Sequence, residues 1–372
     1  MKQILRYLST RTKHSQFYAK STINPIDFKL KPPSKFIPKS VLVFSTPSNL
    51  PQVIQDAIDL FQNNQLQVVV AGVDTMVPYS HRNGVSELWL DHSLKIGAST
   101  LLEEKDKLNE PPRESDGINA VSARKNWKNI RGSLNIKLRN EMNASISLAN
   151  TVFSTGSIIT LFYFDPILKI AHSGEHLCDL DIELPRGIIS NHSVAVVEDK
   201  WTPLYSDEPF KVTNCVGNLL KTIEQKPAAK FLENNEKLMS LGSKDTEVYV
   251  KLRKQGTSVV ERYKVTAGGG GWGPKADLIA LSPEAKPKKG DAVEFFMIKP
   301  EDRYFSKHND DDIGKYQNSI AFARSYEETT FNENEKEKEH IFENVFGCGS
   351  EHGFIFNGIK HDSPGEALYI KL

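Results

Sequence analysis

The stretch from residue 40 to residue 72 constrains the fold of this chain more than any other. Val41-Leu-Val-Phe44 is an unbroken apolar run of strand length. Asn49 stands where a helix N-cap belongs and Pro51 falls in the first turn. Leu50, Val53, Ile54, Ala57, Ile58 and Phe61 then recur at helical spacing. Asn63-Asn64 closes that helix, and Val68-Val-Val-Ala71 is a second apolar strand. Strand, helix and strand at these lengths predict a βαβ unit with a parallel pair and a right-handed crossover. The first turn of the unit, Ser45-Thr-Pro-Ser-Asn-Leu-Pro51, contains no glycine. A dinucleotide fingerprint needs glycine there for close approach to the pyrophosphate, so a Rossmann reading is excluded.

At 372 residues the chain exceeds one ordinary core, and two packed domains are expected. Lysine plus arginine equals aspartate plus glutamate at 47 each, leaving no global field that would favour nucleic acid or an acidic membrane. The longest apolar run, Ile158 to Phe164, falls well short of the roughly 18 residues a spanning helix needs. Cys178, Cys215 and Cys348 are far apart with no CxxC, which argues against a disulfide framework and a zinc ribbon.

The amino terminus carries a targeting signal. No acidic residue precedes Asp27, while Lys2, Arg6, Arg11, Lys13 and Lys20 are basic. At about 100° per residue, Met1, Ile4, Leu5 and Leu8 share one helical face, and Lys2, Arg6 and Lys13 the opposite one. That pattern is a mitochondrial transit peptide and places the protein in the matrix or on the matrix side of the inner membrane. Residues 1–35 are expected to be leader and linker, outside the fold. Residues 36–205 and 206–372 are the two domains, interrupted by charged segments near 103–131 and 301–340.

Further along, the loop Val73 to Gly84 leaves the carboxyl end of a parallel strand, where open α/β sheets place ligands; Asp74, His81 and Arg82 are its polar candidates. Asn150 and Thr151 lie in an apolar setting and need hydrogen bonds, for backbone bracing or for a ligand. His172 and His176 have metal-ligand spacing only on a helix, which Gly174 weakens. Pro227 opens a predicted helix that runs to Leu241, and a hairpin turns at Gln255-Gly256. That hairpin delivers the chain to Gly268-Gly-Gly-Gly-Trp272. Four consecutive glycines are entropically expensive to order and need a reason. Trp272 packing on glycine backbone, an anion on the loop amides, and another ligand-lining role are the alternatives. A P-loop is not one of them, because Lys275-Ala276 leads into a strand-like run rather than a Lys-Ser/Thr helix opening.

The carboxyl two-thirds resembles the FIST family of ligand-sensing domains. The resemblance rests on Phe210-Lys-Val-Thr-Asn-Cys-Val-Gly-Asn218 with Lys226-Pro-Ala-Ala229, on Lys289-Gly-Asp-Ala-Val-Glu-Phe-Phe296, and on the late turn Gly347-Cys348-Gly349. The glycine–tryptophan loop is similar to a feature of fungal members. The resemblance implies an α/β architecture in two parts and a role in binding small molecules, amino acids among them. Here Ser350-Glu351-His352-Gly353 follows the late cysteine, where the family often carries Arg-Gly.

The expected fold is α/β, mixed α+β being the variant, with an amino-terminal βαβ unit and a strand-rich carboxyl half. The expected function is recognition of a polar metabolite in a crevice between the domains. Its lining would come from Gly268, Gly269, Gly270, Gly271 and Trp272, the turn carrying Cys348, Glu351 and His352, and Asn150. No metal or cofactor site is expected. Two alternatives stand beside it: a non-catalytic accessory factor of a mitochondrial complex, and an enzyme using Cys348 or His352. A cysteine–histidine pair needs hydrogen-bond reach, and a small buried thiol is the competing reading.

Overall fold

The predicted βαβ unit forms as the pattern requires. Ser40–Ser45 and Gln67–Gly72 pair in parallel around the helix Leu50–Asn64. The helix ends at Gln65, which takes the left-handed conformation. In this computed structural model the described residues are 16–78, 80–103, 131–139, 141–166, 172–206, 209–241, 246–257, 260–268, 277–303, 313–325 and 338–372. The architecture is mixed α+β and strand-rich.

The parallel pair sits inside a six-stranded sheet ordered His340–Glu343, Phe17–Ile23, Gly84–Leu90, Ser40–Ser45, Gln67–Gly72, Leu161–Phe164. One face, including Val41, Val43, Val68, Val70 and Trp89, packs on Leu50, Val53, Ala57 and Leu60 of the helix. The other face, including Leu42, Phe44, Val69, Ala71 and Leu88, enters the largest core. Cover on both faces is why these strands read as continuous apolar runs rather than as alternation. Two more sheets close that core. One is ordered Ala195–Glu198, Ala367–Lys371, Ser319–Arg324, Val345–Ser350, Thr75–Met76; the other is Ile359–His361, Phe354–Phe356, Met142–Ser147, Ser133–Arg139, Leu177–Glu183, Lys95–Leu101. Phe44 stacks on Phe346 at 4.8 Å and meets Phe322 edge-on at 6.4 Å, locking the first two sheets together.

Six strands between Phe210 and Ile298 form a separate closed barrel. Its strands run Phe210–Val216, Leu219–Ile223, Ile279–Leu281, Val260–Gly268, Glu247–Arg253 and Ala292–Ile298, every neighbour antiparallel. The last strand also pairs with Phe210-Lys211, which closes the ring. Val212, Leu220, Val250, Leu252, Ile279 and Phe295 fill it. The barrel joins the rest through Arg262. Its guanidinium lies 3.8 Å from the Trp201 ring centre and pairs with Asp199 at 2.9 Å and Glu366 at 2.5 Å.

Four expectations need correction. Residues 1–35 do not all lie outside the fold: Phe17–Ile23 is an internal strand of the first sheet, and Ala19, Ser21 and Ile23 are buried. The basic composition that marks a leader says nothing about where it ends. A split at residue 205 is also too simple, because Ile320, Phe322, Phe346, Cys348, Leu368 and Ile370 rejoin the core built by the amino-terminal half. The charged segment near 301–340 accordingly contains a core strand, Ser319–Arg324, whose Ile320 to Ala323 are buried. Finally, the helix opened by Pro227 is two pieces, Lys230–Glu233 and Glu236–Leu241. Asn235 separates them, accepting the Leu238 N–H as an N-cap and donating to the Leu204 carbonyl.

Candidate functional site

The same strand pattern occurs twice. Gly84–Leu90, Ser40–Ser45, Gln67–Gly72 and Leu161–Phe164 neighbour one another as antiparallel, parallel, antiparallel. Ala367–Lys371, Ser319–Arg324, Val345–Ser350 and Thr75–Met76 repeat that sequence of directions. Both parallel pairs end at one rim. Asp74 follows the first pair, and its Oδ2 accepts the Glu351 N–H at 2.8 Å and the Ser350 hydroxyl at 3.2 Å just beyond the second. Thr75 and Ser325 share a buried hydroxyl contact at 2.8 Å, and Arg82 reaches Glu351 at 2.7 Å. Burial raises the Asp74 pKa, and the hydrogen bond from the Glu351 amide offsets only part of that.

Several sequence-predicted residues do meet at this rim. Glu351 and His352 lie beside Asp74, and Arg82 pairs with the first of them. Asn150 is nearby, since Ala149 N–H donates to the Gly72 carbonyl at 3.0 Å; it is exposed, and its Oδ1 accepts the Val152 N–H at 3.1 Å. That bond braces the backbone.

Cys348 is placed differently from the expectation. Gly347-Cys348-Gly349 is the middle of a buried strand, not a turn. A side chain at Gly347 would put its Cβ 1.8 Å from the Ala321 oxygen, and one at Gly349 2.3 Å from Thr75 Oγ1. The glycines therefore let three strands close up. Cys348 is 1% exposed, and burial pushes its thiol pKa well up, with the Asp74 charge adding to the shift. Such a thiol stays protonated and is a poor nucleophile. His352 lies exposed beyond the strand end, giving its N–H to the Ser350 hydroxyl at 3.2 Å.

Gly268 ends the barrel strand Val260–Gly268, exposed and opposite Ile279. Gly269, Gly270, Gly271 and Trp272 lie outside the described residues. His172 bonds Glu175 at 2.8 Å within a turn, and among the described residues no three metal-type side chains gather.

A cavity lies elsewhere, on the outer face of the sheet built by Ser133–Arg139, Met142–Ser147, Leu177–Glu183 and Lys95–Leu101. It is an open depression of about 470 Å³, and none of the sequence-predicted site residues lines it. Ser133–Arg139, Met142–Ser147 and Leu177–Glu183 alternate, sending Leu134, Ile136, Ile146, Leu180 and Ile182 into the core and their polar residues outward. Register then aligns the polar residues in rows. Ser145, Asn135 and Asp181 form one, with the Asn135 amide donating to Asp181 Oδ1 at 2.7 Å. Asn143, Lys137, Glu183 and Lys95 form the next, Glu183 lying 3.5 Å from Lys137 and 3.2 Å from Lys95. The hydrogen bond from Lys95 holds the Glu183 pKa below its usual range. Gly97 leaves the space above Asp181 open, since a Cβ there would stand 3.0 Å from the Asp181 Cβ. Ile355 closes one wall beside Ser145. Alternation in 133–139 and 177–183 was visible in the sequence, but the rows depend on pairing partners far apart in the chain.

In comparisons with known proteins, no family model, no curated protein and no solved structure matches this chain.

Proposed function

We propose that this protein binds a small polar metabolite, an amino acid being one candidate class, in the cavity over the Asn135–Asp181–Glu183 face. The observation that carries the reading is a concave space of about 470 Å³ whose floor offers amide, hydroxyl, carboxylate and ammonium groups side by side. That volume falls in the range of about 300–1,000 Å³ typical of small-molecule sites. Both signs of charge and neutral donors suit a ligand that carries charge of its own. The FIST-like motifs point the same way. The basic, acid-free start of the chain supports a mitochondrial address, with any leader ending before the strand that begins at Phe17.

The test is a thermal-shift screen of the full chain against amino acids, organic acids and nucleotides. A ligand at a hundredfold excess over its dissociation constant stabilises by about 2.7 kcal/mol. The expected result is a saturable hit that disappears in Asp181→Ala and Lys137→Ala and persists in His352→Ala. A hit lost only in His352→Ala would move the site to the rim. Silence across the panel would favour the second reading, an accessory protein. Fully exposed Phe153, beside the part-exposed Val152 and Ile158, supports that reading as an apolar contact for a partner.

A further inference from the structure

One end of the barrel gathers lysines in a chain whose formal charge is zero. Lys286, Lys288 and Lys289 are exposed on the loop that enters Ala292–Ile298. Arg253 and Lys211 are both paired with Ala292, so they flank the mouth of that loop, and Lys254 follows. The exposure of Arg253 and Lys211 fits the barrel, because Val212, Leu252 and Val293 take the inward positions.

The loop is held, not merely charged. Asp291, 2% exposed, accepts the Lys288 N–H at 2.8 Å through one oxygen and the Gln255 N–H at 3.0 Å through the other. Lys254 donates to the Lys286 carbonyl at 2.7 Å, the Cys215 thiol to the Pro287 carbonyl at 3.2 Å, and the Gly290 N–H to the Val212 carbonyl at 2.8 Å. Gly290 has φ +99°, and a Cβ there would stand 2.1 Å from the Gln255 amide oxygen. The one buried acid of this end is thus held by two backbone amides and lies 3.8 Å from the Lys254 ammonium. Lys254 pairs with Glu261 at 3.1 Å and Arg253 with Glu294 at 3.7 Å. Among the described residues, the ammonium groups of Lys211, Lys286, Lys288 and Lys289 have no acidic partner within ion-pair distance, and all four are exposed.

We propose that this end of the barrel docks on the surface of an anionic phospholipid bilayer, with Lys286, Lys288, Lys289 and Lys211 facing the headgroup phosphates. Clusters of four to eight basic residues are the recognised electrostatic footprint for such surfaces. Lysine is a compact point charge suited to diffuse phosphates, whereas arginine forks and aromatic platforms serve nucleic acid. Phe210, next to Lys211 in the chain, is engaged edge-on with Tyr205 and Phe231 and offers no platform for a base.

The test is co-sedimentation of the full chain with phosphatidylcholine vesicles, with and without about 30% phosphatidylglycerol. Binding is expected only to the anionic vesicles, and is expected to fall steeply between about 0.1 M and 0.5 M salt as screening shortens. Each lysine near the surface strengthens partitioning about fivefold, so the triple variant Lys286→Glu/Lys288→Glu/Lys289→Glu should lose at least about 100-fold. The control Lys29→Glu/Lys31→Glu/Lys39→Glu makes the same change in net charge at exposed sites elsewhere and should lose far less. Circular dichroism of both variants checks that they fold; the individual reversals, each costing a few-fold, replace the triple if it does not. Equal losses in the two triple variants, or retained binding in the first, would overturn the proposal; the latter would assign the affinity to the basic amino terminus. Tighter binding to single-stranded RNA than to vesicles would also overturn it.

Discussion

Replacing Lys20 with methionine tests both the fold and the assignment of the amino terminus. The Lys20 ammonium lies 2.6 Å from Glu87 Oε1, and the Trp89 indole donates to Glu87 Oε2 at 2.6 Å. Glu87 is 1% exposed, in a strand covered on both faces. Methionine keeps the aliphatic stem and removes the charge. Stripping one partner from a buried pair costs about 3–5 kcal/mol, because the remaining charge is left in a poorly solvating place. Lys20 retains some exposure, 23%, which puts the expectation near the lower end, about 3 kcal/mol at pH 8.

The loss should depend on pH with a definite sign. Burial already raises the Glu87 pKa, with Lys20 and Trp89 working against the shift. A carboxyl raised above its unfolded value favours the fold at low pH, and that contribution is lost as pH rises through the folded pKa. Removing Lys20 raises the folded pKa further. The gap between wild type and variant should therefore be widest at pH 8 and shrink to under about 1 kcal/mol near pH 4.5, where Glu87 is protonated in the variant. Urea unfolding followed by circular dichroism across that range measures it. The double variant Lys20→Met/Glu87→Gln should recover most of the loss at pH 8. If residues 17–23 were a removable leader, Lys20→Met would leave stability unchanged at every pH. That outcome, or a loss independent of pH, would refute the reasoning.

Two other expectations follow from the rim. Asp74→Asn keeps an acceptor for the Glu351 amide while removing a carboxylate whose pKa burial has raised, so it should stabilise the protein more at pH 8 than at pH 4, as differential urea titrations would show. Cys348, buried and protonated, should resist iodoacetamide in the folded protein, while part-exposed Cys215 is alkylated first; peptide mass spectrometry before and after denaturation reads the order, and rapid native labelling of Cys348 would contradict its placement.

The sequence determined a good deal by itself. The βαβ unit was legible because its strands are buried on both faces and its helix has one apolar stripe, so each element carries its own periodicity. The hairpin around Gln255-Gly256 was legible for the same local reason. Asp74, Arg82, Glu351 and His352 were each visible as polar residues in loops, but nothing in their spacing said that Glu351 would sit on Asp74. Only the tertiary structure decided what depends on long-range pairing. It made Phe17–Ile23 an internal strand, brought residues 319–371 back to the first core, and closed six strands between Phe210 and Ile298 into a barrel. It turned Gly347-Cys348-Gly349 from an apparent turn into packed strand, because the need for glycine there comes from Ala321 and Thr75 rather than from local bending. It also aligned Asn135, Asp181, Lys137 and Glu183 over one cavity, through a register between strands more than forty residues apart that no local pattern encodes.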